Sequence, residues 1–118
     1  MAATVDKDKH LPLSPFSSVQ ANTAIGRCCA KLGRAAEAEA AFQEAIAEAL
    51  ECKLPWLEAI AHRDFIVHVL DAQGRRESQM AALGGAISRM VLAPGEYTAV
   101  LGSGIDAEAA VAAATARE

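Results

Sequence analysis

Apolar residues recur along this chain at steps of three and four and nowhere in strict alternation, so the pattern predicts helices and no sheet. Pro12 and Pro15 interrupt any early helix, and residues 1–16 read as an extended arm. Ser17 with Gln20 forms a capping box, and Phe16 just before it supplies a hydrophobic staple. The first helix is predicted over residues 18–32. Gly33 ends it, and Lys31 suits the negative end of the helix dipole. The second helix, over 34–52, sets Ala38, Phe42, Ala45, Ile46, Ala49 and Leu50 on one buried stripe. Glu37, Glu44, Glu48 and Glu51 form a separate acidic stripe, which reads either as a solvated face or as a dock for a basic partner.

Pro55 opens a third helix that runs to residue 73. It is apolar on several sides through Trp56, Leu57, Ile60, Phe65, Ile66, Val67, Val69 and Leu70, as expected of a helix packed between neighbours. Gly74 stops it. A fourth helix, over 75–91, aligns Met80, Leu83, Ile87 and Met90. Its Gly84-Gly85 pair costs about 1 kcal/mol per glycine relative to alanine, a cost that close approach of another helix would offset. Pro94 opens a short helix to residue 101, Gly102-Ser103-Gly104 reads as a hinge, and Asp106 caps a last, alanine-rich helix ending near residue 116. Alone that helix is marginal, so it either packs on the fourth helix or frays. The expected core is Phe42, Ile46, Ile60, Val67, Leu83 and Ile87.

Two segments match each other at a constant offset of 41 residues: IGRCCAKLGRAAEAEAAFQEAI from Ile25 and IVHVLDAQGRRESQMAALGGAI from Ile66. Each carries a turn glycine followed by arginine, then a large apolar residue (Phe42 or Leu83), then Ala-Ile. Self-similarity at such a period signals stacked helical hairpins. The segments resemble the tetratricopeptide repeat, in particular its longer variety of about 42 residues found in kinesin light chains. Ile25, Gly26, Gly33, Ala38, Phe42 and Ala45 carry the likeness in the first copy; Ile66, Leu70, Gly74, Leu83 and Ala86 carry it in the second. Val67 stands where the first helix has its small residue, and Cys29 and Leu70 replace the usual bulky aromatic. The resemblance implies an all-α fold of two stacked antiparallel hairpins over residues 17–91, with capping helices over 92–118. Two repeats are fewer than the three or so that a stack needs, so the end segments or a partner must cap it. It also implies a concave groove lined by the first helix of each hairpin. The groove positions are Gln20, Thr23, Arg27 and Lys31 in the first copy and Asp64, His68 and Asp71 in the second.

Composition narrows the function classes. The chain has 118 residues, enough for one domain; 53% are hydrophobic, with alanine the largest share, and only 4% are aromatic. Such a core is thin and suits closely packed helices. The net charge of −4 argues against nucleic acid, and no apolar run approaches a membrane span. The first eighteen residues read as neither a secretory signal nor a transit peptide. Cys28, Cys29 and Cys52, an odd count with two adjacent, make a poor disulfide framework. They read as reduced, buried thiols in a reducing compartment, cytoplasm or organelle interior.

Asp64, His68 and Asp71 share one helix face independently of the resemblance. They read as a solvated face, as a partner site, or as a chelate, although no second cluster has metal-ligand spacing. The basic and asparagine set of chaperone-binding tetratricopeptide domains is absent, which argues against chaperone C-terminal tails. His62 and His68 are six apart and do not form a zinc pair. Gly102-Ser103-Gly104 lacks the spacing of a phosphate loop or a nucleophile elbow. No nucleophile–base or acid pair has recognisable spacing, so the expected function is non-catalytic, with no cofactor and no bound metal. The expectation is a protein-interaction module or adaptor. The alternative is a small structural subunit docked permanently in a larger complex, respiratory or photosynthetic for instance.

Overall fold

The computed structural model describes residues 14–90, 96, 101 and 105–116. Among them are five α-helices and no strand: α1 (Pro15–Lys31), α2 (Ala35–Glu51), α3 (Pro55–Phe65), α4 (Glu77–Arg89) and α5 (Ala107–Ala116). Each helix packs on the next, and α1 also reaches α3. The arm over 1–13, the short helix expected over 94–101 apart from Glu96 and Leu101, and the 102–104 hinge lie outside the described residues.

Helix α1 starts earlier than the sequence pattern placed it. Ser14, not Ser17, is the cap: its Oγ accepts from the Ser17 N–H at 3.1 Å. Pro15 is the first helical residue, where its missing N–H costs nothing and its fixed φ fits the helix. The expected arm therefore gives way to helix at Pro15.

Three helix ends share one hydrogen-bond pattern. After α1, Arg34 N–H donates to Cys29 C=O at 2.9 Å and Gly33 N–H to Ala30 C=O at 3.1 Å. After α2, Leu54 donates to Ala49 and Lys53 to Leu50; before α4, Arg75 donates to Leu70 and Gly74 to Asp71. These are Schellman ends, which need a left-handed residue at their centre. Gly33 and Gly74 take it at φ 76° and 66°, and Lys53 takes it at 59° without the freedom of a glycine.

The third helix is not one α-helix to residue 73. Beyond Phe65 it widens into a π-helical turn over Ile66–Leu70, then tightens into a 3₁₀ turn over Asp71–Gln73. Ile66, Val69 and Leu70 are buried there, and Val67 is left 37% exposed, against the expectation that it lies in the core. A wider turn redistributes side chains around the axis, so the α-helical wheel drawn through Phe65 no longer holds.

Phe42, Leu83 and Ile87 are fully buried as expected, while Ile46 and Ile60 are half-buried. The Phe42 ring stacks on Phe65 at 5.7 Å between centroids. A Cβ at Gly26 would stand 2.7 Å from the Phe42 ring, so only glycine lets α1 lie this close to α2. Gly84 plays the same part later: a Cβ there would collide with the Ala110 carbonyl, and α5 packs on α4 at that point rather than fraying. Gly85 meets no such constraint. Asp106 Oδ1 accepts from Ala109 N–H at 3.1 Å and caps α5 as the sequence pattern predicts.

Cys28 and Cys52 are exposed and Cys29 half-buried, all as free thiols. The expectation of buried cysteines fails because Cys28 stands on the exposed side of α1 and Cys52 sits at the α2–α3 turn.

Candidate functional site

The positions implied for a ligand groove divide into three environments. Arg27 of α1 donates from Nη1 to Asp64 Oδ2 of α3 at 2.8 Å. Asp64 is only 2% exposed, and the buried Arg63 Nε lies 2.7 Å from its other oxygen, close enough for ion pairing but not aligned as a hydrogen bond. The basic and acidic groove positions thus meet each other and tie α1 to α3. Thr23 is buried and donates to the Val19 carbonyl at 2.8 Å.

Asp71 and Arg76 form a two-pronged pair on the exposed end of the 3₁₀ turn, with both N···O distances 2.7 Å. The Arg76 hydrogen bonds hold the Asp71 carboxyl below the usual carboxylate range against a slight opposing effect of burial. His68 is half-buried, and Lys31 and Gln20 are exposed.

A second polar group lies where the sequence reading did not look. Glu58 and His62, one turn apart on α3, are both buried. His62 Nδ1 sits 2.8 Å from Gln79 Oε1, and its Nε2 sits 3.2 Å from Glu58 Oε2. Arg89, from the end of α4, donates to Glu58 Oε1 at 2.7 Å. Burial pushes the Glu58 carboxyl up, but the hydrogen bonds from His62 and Arg89 together outweigh it and leave the group below its ordinary value. The network joins α3 to α4. Its one legible signal was the Glu58–His62 spacing of four; the partners Gln79 and Arg89 are supplied by the fold.

One open concavity is apolar, with a volume of about 650 Å³. Phe16 from the first turn of α1 and Trp56 from the first turn of α3 stand on its walls, 53% and 48% exposed. Leu57, Ile60 and Met90 also line it, and Lys53 and Arg89 supply charge. A smaller cavity of about 120 Å³ shares Gln20, Leu57 and Ile60 with it and extends to Thr23 and Arg27. The concavities follow the α1–α3 side of the protein. Of the positions implied by the resemblance, they bring together Gln20, Thr23 and Arg27. The sequence reading missed Phe16 and Trp56 as groove residues, because half-exposed aromatics and core aromatics carry the same pattern in the chain.

Among the described residues no group of three or more His, Cys, Asp or Glu side chains is placed to hold a metal. No helix among them is long and apolar enough to cross a membrane. Comparison of the chain with protein-family models finds no match, and neither the curated proteins nor the solved structures contain one.

Proposed function

We propose that this chain is a non-catalytic protein-interaction module, a short tetratricopeptide-like stack whose α1–α3 side receives a segment of another protein. The observation that carries the reading is the apolar groove between Phe16 and Trp56. Two aromatic rings held half in water at one concavity are costly for a protein with so few aromatics, and a partner that covers them recovers that free energy. The repeated Schellman ends and the constant offset of 41 residues support the tetratricopeptide-like reading of the framework.

The groove's polar extension is occupied from within. Arg27 and Asp64 satisfy each other, so recognition falls to the apolar end rather than to the charged face. A second reading, a subunit buried permanently in a larger assembly, draws on Ile25 of α1 and Leu32 at its C-cap, which are exposed and do not line the groove. The test is capture of partners from native material by the full chain and by Trp56→Ala. The module reading expects a stoichiometric partner retained by the parent chain and lost by the variant, with helicity unchanged. A stable monomer that captures nothing overturns it. Partner capture that ignores Trp56→Ala shifts the interface to the Ile25–Leu32 face and the permanent-subunit reading.

A further inference from the structure

We infer that the groove's occupant is an acidic amphipathic helix, a segment of a partner protein that seats bulky apolar side chains between Phe16 and Trp56 and sets carboxylates against Lys53 and Arg89. The inference rests on the reading of this chain as an interaction module and adds the chemistry of the partner.

Charge points that way first. The chain as a whole is acidic, with a net charge of −4, yet the described residues lining this groove include two cations and no carboxylate. Lys53 has no ion-pair partner among the described residues, and the left-handed turn between α2 and α3 holds it at the groove's edge. Arg89 spends one nitrogen on Glu58, and half of its side chain remains exposed. The carboxylate in the first turn of α3, Glu58, is buried and already bonded to His62 and Arg89. A carboxylate placed there meets Lys53 and the exposed part of Arg89, whereas a basic segment meets repulsion from both.

Shape and backbone chemistry select a helix. A volume of about 650 Å³ accommodates a row of side chains and not a globular face. Among the described residues there is no strand, hence no sheet edge on which an extended peptide could complete its backbone hydrogen bonds. A helix satisfies its own backbone and presents apolar anchors at steps of three and four to an apolar cleft.

The protein carries its own reporter, because Trp56 is its single tryptophan. A phage-displayed library of random 15-residue peptides, selected on the full chain, is the test. The expected consensus has Leu, Phe or Trp at helical spacing flanked by Asp or Glu. The synthetic consensus peptide should move Trp56 emission to shorter wavelength. Lys53→Glu should weaken it about fivefold, the scale of one exposed charge pair, and a peptide with Glu exchanged for Lys should recover part of that loss. A basic or uncharged consensus, or binding indifferent to Lys53→Glu, overturns the inference and leaves the interaction reading standing. Failure to select any peptide, with Trp56 emission unresponsive, overturns both. Acrylamide quenching of the free chain tests the remaining occupants. Trp56 already shielded in dilute solution assigns the groove to residues 1–13 of the same chain, and shielding that grows with concentration assigns it to a second copy; either outcome overturns the inference.

Discussion

Gly26 in α1 and Val67 in the widened end of α3 occupy matching places in the two repeated segments, and their surroundings are opposite. Gly26 is buried with its Cα against the Phe42 ring, while Val67 looks outward. One residue earlier the contrast reverses: Ile25 is 50% exposed and Ile66 fully buried. The second helices do not diverge in this way. Phe42 and Leu83 are both fully buried, as are Ala45 and Ala86. The repeated sequence therefore buries the shared Phe42/Leu83 and Ala45/Ala86 positions of the second helices alike and sets the two glycine turns alike, but its two first helices differ. The reason is position in the stack. Among the described helices α1 lies at one end and leaves Ile25 half exposed, whereas α3 lies between α1, α2 and α4 and must bury more of its circumference. The π-helical turn accompanies that demand. Glu58 and His62 show the same contrast in polar form: they sit buried in α3, where α1 has the exposed Ser17 and the partly covered Ala21.

The largest expected effect tests that polar difference. Glu58→Gln leaves Arg89 and His62 without their carboxylate and should cost about 3 kcal/mol, the low end for a broken buried pair because Arg89 stays half exposed, read from urea unfolding. Because the folded carboxyl titrates below its unfolded value, its contribution is present above the unfolded value near 4.5 and is lost as pH falls through the folded one. The parent chain should lose stability on that acid limb, and the Gln variant should show a flatter one. An unchanged acid profile would remove Glu58 from the account.

Next comes a reciprocal exchange at the two matching positions. Gly26→Val forces a side chain into the Phe42 ring, itself stacked on Phe65, and should cost about 3 kcal/mol by thermal or urea unfolding. Val67→Gly should cost only about 1 kcal/mol, the helix penalty of an exposed glycine. Equal costs would restore the equivalence of the two first helices.

Gly84→Ala probes the second pair's extra neighbour. Its match in α2 is Gln43, an exposed residue that bonds to Glu39 on its own helix. The added methyl should push α5 from α4 at a cost of about 2 kcal/mol, with hydrogen exchange accelerated in residues 107–116 ahead of the rest. Uniform acceleration across all helices would contradict local undocking. The smallest effect concerns the turn between the pairs. Lys53→Gly should stabilise by about 1 kcal/mol, because it relieves the left-handed strain that Gly33 and Gly74 avoid. A loss of stability would show that the Lys53 side chain contributes more than its backbone costs.

The sequence by itself determined the helical class, the turns at Gly33 and Gly74, the inward stripe of α4, the Asp106 cap and most of the α2 stripe, whose last member Leu50 is exposed instead. Each of these is decided within a few residues, by propensity, period or local hydrogen bonding. It also signalled that Gly84 needed a close neighbour, although only the packing named that neighbour as Ala110. The start of α1 at Pro15 was locally encoded but ambiguous, since Ser14 and Ser17 both suit a cap. Asp64 was legible as a polar interruption of α3. Its closure by Arg27, 37 residues away, was not. The buried Glu58–His62–Arg89 network, the π-helical turn and the exposure of Phe16 and Trp56 at one groove belong to tertiary structure alone. Each depends on which helices stand beside α3, and no local period in the chain carries that information.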